Sequence, residues 1–200
     1  MKLKGLGVAG FVRAPDPEVV AVLLYGPDGG LVRERAVALT TAVLGAPDDP
    51  FRFAEFNAEV LKDDPARLLD EATAIALGGG RRVVRVRDAG DVQAELFEGL
   101  LARAVADTLV IVEAGNLGSR SPLRRLFERA GKAAALPCYL DGPELLDDLI
   151  SDTLAAAGLT IEPAARAYLV EHLGDDRLIS RSELEKLVLY MGAEAGLVGL

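Results

Sequence analysis

The sequence predicts an α/β domain with a mostly parallel five-stranded sheet, followed by a small domain of three helices. Over the first 140 residues, short apolar or alternating runs typical of strands alternate with longer runs that have apolar residues at helical spacing. After Gly142 the strand-like runs stop and only helical runs follow. Because strand–helix alternation favours a parallel sheet covered on both faces, we expect an α/β domain at 1–140 and a helical domain at 141–200.

Five runs in the first domain have strand character, and four helical runs lie between them. "VLL" and "VIV" are apolar on both faces, which predicts that the first and fourth strands are central. The expected strands are "AVLLYG" (21–26), "FRFAEFN" (51–57), "RRVVRVRD" (81–88), "TLVIVEA" (108–114) and "AALPCYL" (134–140). The expected helices are "GLVRERAVALTTAVLG", "PARLLDEATAIALG", "VQAELFEGLLARAVA" and "SPLRRLFERAGK".

The second domain is expected to contain three helices with no strand between them: "PELLDDLISDTLAAAG", "EPAARAYLVEHLG" and "SRSELEKLVLYMG". Pro163 suits the first turn of the second helix, because its missing N–H would have no helical partner there. Ser180 is followed three residues later by Glu183, the pattern of a capping box, so we expect the third helix to begin at Ser180.

Composition excludes several functional classes. The net charge of the 200 residues is −9, and 12 acidic against 4 basic residues lie from Asp141 onward, so bulk charge cannot hold DNA. Cys138 is the only cysteine and His172 the only histidine, which argues against disulfides within the chain, a metal site or a catalytic triad. We expect Cys138 to be a buried apolar residue and His172 to lie near a helix C-terminus. Without an apolar run of membrane-spanning length or a long signal-peptide core, the expected location is the cytoplasm.

The stretch "LLYGPDGGLVRERA" has the layout of a phosphate-binding loop, an apolar strand followed by a glycine-rich turn and a helix. A working loop reads G-x-x-x-x-G-K-[ST], in which backbone N–H groups surround phosphate, the lysine neutralises charge and the hydroxyl holds Mg²⁺. From Gly26 the chain keeps glycines at Gly29 and Gly30, but the required lysine is Val32 and the required Ser/Thr is Arg33. Asp28 adds a negative charge where phosphate would bind.

The acidic pair that should end a neighbouring strand of an ATPase is also missing. "VVRVRDAGD" offers only Asp88, after Arg85 and Arg87, which we expect at a sheet edge or its rim. We therefore predict that the loop persists as architecture, without catalysis, nucleotide cofactor or metal. An AAA+-like ATPase with an atypical nucleotide loop remains the alternative.

These stretches, in this order, resemble the delta subunit family of bacterial DNA polymerase III, the AAA+-type clamp-loader subunits. The resemblance rests on "LLYGPDGGLVRERA", "DDPARLLDEATAIALGGGRRVVRVRDA", "LVIVEAGNLGSRSPLRRLFE", "AALPCY", "GLTIEPAARAYLVEHLGDD" and "SRSELEKLVLY". It implies a three-helix lid after the AAA+-like domain and a protein that opens the sliding clamp without hydrolysing ATP. The implied partners are the clamp, the primer-template DNA, and other loader subunits reached through a C-terminal collar domain that this chain lacks, so a fragment is expected. A stand-alone adaptor that binds through its acidic lid is a weaker interpretation.

The resemblance also implies a clamp-binding site at the end of the helix before the third strand. In the family, a leucine followed by an aromatic residue inserts into an apolar pocket of the clamp. Leu77 falls on the leucine position, whereas Gly78 replaces the aromatic residue. Either the clamp is held more weakly here, or Ile75 or a neighbouring loop supplements the contact. Without the resemblance, Leu77 would be interpreted as a core residue at a helix end.

One basic segment stands out in this acidic chain, "SRSPLRRLFERAGK", with a local charge of +4. On a helix, Arg120 and Arg124 would form one basic column and Arg125 and Arg129 a second, because each pair is four residues apart. The segment is expected to contact the DNA backbone or an acidic neighbouring subunit, or to be a solvated helix face.

Overall fold

The computed structural model describes residues 6–46, 49–76, 79–103, 107–139, 143–173, 177–192 and 196–199. The chain divides into two compact units, Met1–Cys138 and Tyr139–Leu200. Each unit has an apolar core of its own. Among the helices of the described ranges, none is long and apolar enough to span a membrane.

The first unit is the α/β fold that the alternating pattern predicts. All five strands are parallel, in the order β2-β3-β4-β1-β5, so the two strands predicted to be central, β1 and β4, are indeed flanked on both sides. The elements are α1 (Leu6–Arg13), β1 (Ala21–Tyr25), α2 (Gly29–Leu44), β2 (Phe53–Asn57), α3 (Val60–Asp63), α4 (Arg67–Thr73), β3 (Arg82–Ala89), a 3₁₀ turn (Asp91–Gln93), α5 (Ala94–Leu101), β4 (Thr108–Ala114), α6 (Pro122–Arg129) and β5 (Ala133–Pro137).

Apolar side chains on both faces of the sheet explain why it is covered by two helical layers. Successive residues of a strand point to opposite faces, so a run such as "VLL" contributes to both layers. One layer packs against α4, α5 and α6 and contains Phe97 and Phe127, whose ring centroids lie 5.8 Å apart in an edge-to-face pair. The other packs against α2 and against α1, a helix that the sequence pattern did not predict, through Val8 and Phe11.

A buried ion pair joins two neighbouring strands of the sheet, the guanidinium of Arg85 on β3 and the carboxylate of Glu113 on β4. Nε and Nη2 of Arg85 donate to Oε1 of Glu113 at 2.9 and 2.5 Å, and Nη1 lies 3.2 Å from Oε2 of Glu55 on β2. The prediction that Arg85 lines a sheet edge is therefore wrong, because β3 lies between β2 and β4 and the arginine bridges both neighbours. Burial raises the pKa of Glu113, and the hydrogen bond from Arg85 opposes that rise.

The second unit contains the three predicted helices and a small sheet that was not predicted. Its elements are α7 (Pro143–Ala156), β6 (Thr160–Ile161), α8 (Pro163–His172), α9 (Arg177–Met191) and β7 (Leu197–Val198). The expectation of no strand between the helices is wrong, because β6 pairs in parallel with β7. Pro163 lies in the first turn of α8 as predicted. Helix α9 begins before Ser180, which is buried within the helix, so Ser180 is not a capping residue.

We predict that Arg85→Leu lowers the free energy of unfolding by about 3 kcal/mol at neutral pH, because it leaves the buried carboxylate of Glu113 without its counter-charge. Chemical denaturation measures this directly. The double variant Arg85→Leu/Glu113→Leu should recover much of the loss, since a buried ion pair replaced as a unit is often tolerated. Arg87→Leu is the matched control: Arg87 is 40% exposed and pairs with Glu55 at the surface, so we expect a loss below about 1 kcal/mol.

The defect of Arg85→Leu should also depend on pH. Burial raises the pKa of Glu113 and Arg85 opposes that rise, so removing the arginine lets the pKa rise further and makes the ionised carboxylate oppose folding more strongly than in the wild type. The defect is therefore largest above the raised pKa and shrinks as the pH falls through it. Strictly additive losses in the double variant, or a defect that grows on acidification, would contradict this account.

Candidate functional site

The glycine-rich loop joins β1 to α2 at the carboxyl edge of the sheet. Several of its N–H groups donate hydrogen bonds to oxygen atoms of the protein itself. The N–H of Gly26 donates to the carbonyl of Gly115 at 3.2 Å, and the N–H of Asp28 donates to the carbonyl of Cys138 at 3.4 Å. Asp28 is the buried N-cap of α2, and its Oδ1 accepts from the N–H of Leu31 at 2.9 Å. A carboxylate of the chain thus occupies the helix N-terminus that attracts phosphate in nucleotide-binding loops.

Gly26 is required by packing rather than by an anion. A Cβ atom added at Gly26 would lie 1.6 Å from the carbonyl oxygen of Cys138, so no side chain fits between the loop and the residue after β5. Gly29, the first residue of α2, has open space around its Cβ position, and Gly30 is buried. Of these glycines, Gly26 therefore serves a close contact between two stretches of backbone.

The side chains that replace the catalytic residues of a phosphate loop point to different environments. Val32 is buried and packs with Leu31 in the core layer beneath α2. Arg33 is exposed and borders a cleft of about 400 Å³ at the carboxyl edge, which is also lined by Arg87, Asp88 and Glu113. An apolar side chain in the core cannot neutralise the charge of a phosphate group.

The acidic groups of this cleft are already engaged. Glu113 accepts from Arg85 as described above. Asp88 has a left-handed backbone with φ of 56°, and its carboxylate accepts a hydrogen bond from the side-chain amide of Asn57. Within the described ranges, no group of three His, Cys, Asp or Glu side chains could hold a metal ion. The cleft therefore combines charges of both signs without an assembled cation site.

Ile75, from the segment predicted to bind a partner, lies at the opposite, amino edge of the sheet. Leu77 and Gly78 lie outside the described residues. Helix α4 ends at Thr73, because the next residue is extended with φ of −63° and ψ of 137°, so Ile75 follows the helix instead of ending it as predicted. Ile75 is 91% exposed and borders a cleft of about 390 Å³ that is also lined by Gly79 and Gly80.

Of the two basic columns that the spacing predicts, only the pair Arg125 and Arg129 lies exposed on the helix. Ser121 caps α6, whose first residue is Pro122, so Arg120 precedes the helix. Arg124 is largely buried, lies 3.0 Å from Glu128, donates to the carbonyl of Leu117 and covers the ring of Tyr25 at 4.8 Å. Arg120, Arg125 and Arg129 are exposed.

A shallow groove of about 450 Å³ between α5 and α6 separates Arg125 and Arg129 from Glu95 and Glu98. The exposed basic surface of α6 therefore faces an acidic wall. Because the two walls of the groove have opposite charges, the groove is better matched to a polypeptide that carries both charges than to the uniformly negative backbone of a nucleic acid.

Cys138 and His172 have the structural roles that the sequence predicts. The thiol of Cys138 is fully buried, and burial raises its pKa, which leaves it a poor nucleophile. His172 is the last residue of α8, stacks on the ring of Tyr168 with centroids 4.0 Å apart, and has its Nδ1 2.8 Å from the carbonyl oxygen of Tyr168.

Sequence reasoning missed two of the residues that define the carboxyl edge. Glu113 interrupts the otherwise apolar run "TLVIVEA", and Arg85 similarly interrupts "RVVRVR", which together could have indicated a buried pair on adjacent strands. Asp28 was interpreted only as a charge opposed to phosphate. Its position directly before a helical run is the usual position of an N-cap, and this could have predicted its bond to Leu31.

A parallel sheet in the order β2-β3-β4-β1-β5, with a glycine loop and helix after β1, is an AAA+-like α/β fold. Solved structures share this fold. The Holliday junction branch migration motor RuvB of Thermotoga maritima has a TM-score of 0.58 at 16% identity, with 98% of this chain and 66% of that one covered. A DNA polymerase III gamma subunit-related protein from Thermotoga maritima has a TM-score of 0.55 at 15% identity, with 94% and 58% covered.

The predicted resemblance to the delta subunit of DNA polymerase III is confirmed. The chain is 23% identical over 176 residues to a "Probable DNA polymerase III subunit delta" of Rickettsia prowazekii, which covers 86% of this chain and 51% of that protein. It also superposes on the Bacillus subtilis DNA clamp loader delta protein with a TM-score of 0.66 at 18% identity, covering 96% and 58%. No protein-family model matches the chain. The chain spans about half the length of the curated relative it matches.

Proposed function

We propose that this chain acts as a clamp-loader delta subunit of the bacterial replicative DNA polymerase, binding and opening the sliding clamp without hydrolysing ATP itself. The observation that supports it most directly is a P-loop fold, similar to delta subunits, in which Asp28 and neighbouring carbonyls occupy the phosphate loop. ATP would then act in other subunits of the loader. The chain would contribute no bond chemistry, only binding.

The proposed clamp contact is the segment around Ile75, Leu77 and Gly78. Ile75 supports this assignment because an isoleucine that is 91% exposed contributes little to the core. Apolar anchors that enter a pocket dominate the energy of many protein interfaces. An anchor that binds the open form of a ring more tightly than the closed form shifts the ring toward opening by that difference in affinity.

An AAA+-like ATPase remains the alternative function. It would need phosphate to displace the Asp28 carboxylate from the N-terminus of α2 and a cation to bind a cleft whose acids are already engaged. Both steps cost interactions that are present in the folded chain. The self-occupied loop therefore favours the binding role.

We further propose that Arg120, Arg125 and Arg129 form the contact with primer-template DNA or with a neighbouring subunit. All three are exposed. Arg124, which was expected in this set, is excluded from it because it bonds within the first unit to Glu128 and to the Leu117 carbonyl. The acidic wall of Glu95 and Glu98 restricts any DNA contact to the outer rim of α6.

We predict that titration calorimetry with Mg²⁺-ATP gives no heat of binding at millimolar nucleotide. The helix N-terminus is capped by Asp28, and the position of the phosphate-binding lysine is the buried Val32. A dissociation constant in the micromolar range would instead support the ATPase alternative.

We predict that Ile75→Ser weakens binding to the cognate sliding clamp by about tenfold or more, without changing the melting temperature. Surface plasmon resonance measures the affinity. Leu77→Ala should weaken binding by about thirty- to thousandfold if this leucine is an anchor. Val92→Ser is the matched control, because Val92 is also exposed but lies in the 3₁₀ turn after β3. If wild type and Ile75→Ser bind the clamp equally, Ile75 is not part of the contact.

We predict that Arg125→Ser and Arg129→Ser leave the melting temperature unchanged, because both side chains are exposed. In the assembled loader, each change should lower the slope of log affinity for primer-template DNA against log salt by about one if the arginine contacts phosphate. Arg124→Ser should lower the melting temperature. An unchanged salt slope accompanied by weaker subunit assembly would assign these arginines to a protein contact.

A further inference from the structure

A second exposed apolar side chain, Phe51, lies beside the proposed clamp contact. It is 64% exposed, on the turn that leads into β2. The exposed large apolar residues of the first unit's described part are Val37, Phe51, Ile75 and Val92. Phe51 is the aromatic one among them. An exposed phenyl ring does not gain the free energy of burial, which a binding partner could supply by covering it.

The turn holds Phe51 in a fixed position. The carboxylate of Asp49 accepts from the N–H of Phe51 at 3.0 Å, from the N–H of Arg52 at 3.2 Å and from its Nε at 2.8 Å. Arg52 in turn donates from Nη2 to the carbonyl of Leu44, the last residue of α2, at 2.9 Å. The turn is therefore closed by Asp49 and bonded to the body of the domain through Arg52. A backbone held in this way loses little conformational freedom on binding.

The turn lies next to the glycine turn that precedes β3. A Cβ atom added at Gly80 would lie 3.2 Å from Nη1 of Arg52, and the carbonyl of Arg52 accepts from the N–H of Val83 at 2.8 Å. On the other side, Ile75 borders the same cleft as Gly79 and Gly80. Phe51 and Ile75 thus belong to two neighbouring segments at the amino edge of the sheet, with the glycine turn between them.

We propose that Phe51 is a second apolar anchor for the sliding clamp, placed on a rigid turn beside the Ile75 segment. The inference rests on the proposed clamp-binding function and extends that contact from the segment after α4 to the turn before β2. The ligand is an apolar pocket or groove on the clamp surface. Phe51 would provide an aromatic contact that Gly78 does not. Asp49 and Arg52 are positioning residues that hold the turn.

The experiment measures the affinity of the purified chain for the cognate sliding clamp by surface plasmon resonance. Phe51→Ala should weaken binding by about tenfold or more, and Phe51→Tyr should retain most of the affinity because the ring is preserved. Asp49→Ala keeps the phenyl group but removes the acceptor that fixes the turn, so it should weaken binding less than Phe51→Ala does. Val92→Ala is the control for loss of an exposed apolar group and should bind like wild type.

The melting temperature of each variant separates binding from folding. Phe51→Ala and Val92→Ala should both melt near wild type, because neither side chain is buried. If Phe51→Ala binds within twofold of wild type while Ile75→Ser is weakened, the inference about Phe51 fails and the proposed function stands. If the wild-type chain does not bind the clamp, the proposed function fails and the inference fails with it. Equal loss in Phe51→Ala and Phe51→Tyr would also overturn the proposal.

Discussion

The guanidinium of Arg85, which lies between the carboxylates of Glu113 and Glu55, determines which acidic groups at the carboxyl edge of the sheet could bind a ligand. It joins three adjacent strands on the face beneath α2. The buried arginine needs this counter-charge, and the buried carboxylate of Glu113 needs the arginine, so Glu113 is not available for other chemistry. Glu113 borders the cleft beside the glycine loop. The interaction that stabilises the sheet therefore also removes the buried acid that a cation at this edge would need.

In the loop after β1, too, polar groups find their partners within the chain. A loop built to surround phosphate exposes N–H groups that need an acceptor once the phosphate is absent. Here Gly115 and Cys138 supply carbonyl oxygens and Asp28 supplies a carboxylate. The N–H groups of Gly26, Asp28 and Leu31 thus have their acceptors within the chain. Two exposed apolar side chains, Ile75 and Phe51, lie at the amino edge, and they underlie the proposal that the protein acts by binding a partner there.

Period and composition predicted the five strands well, because a buried parallel strand must be apolar on both faces. The pattern could not predict α1 or the two-residue strands β6 and β7, since short elements depend on what they pack against. The predicted start of α9 was wrong, because Ser180 is buried within the helix. The spacing of Ser180 and Glu183 alone cannot distinguish a helix cap from an interior turn. Arg124 was misassigned for a similar reason: spacing places it on the helix, but its ion pair with Glu128 and its contact with Tyr25 depend on tertiary structure.

For the candidate site, the most informative feature of the sequence was the identity of the residues at the catalytic positions of the phosphate loop. Val32 and Arg33 indicate that phosphate chemistry is missing, because each position requires one specific chemical group. The structure shows that restoring residues 32 and 33 would not by itself restore a phosphate site. Val32 belongs to the core, and Gly26 lies against the carbonyl of Cys138. Lysine and threonine at 32 and 33 alone would leave Asp28 on the helix N-terminus, so an anion site requires the loop, its cap and the residue after β5 to change together.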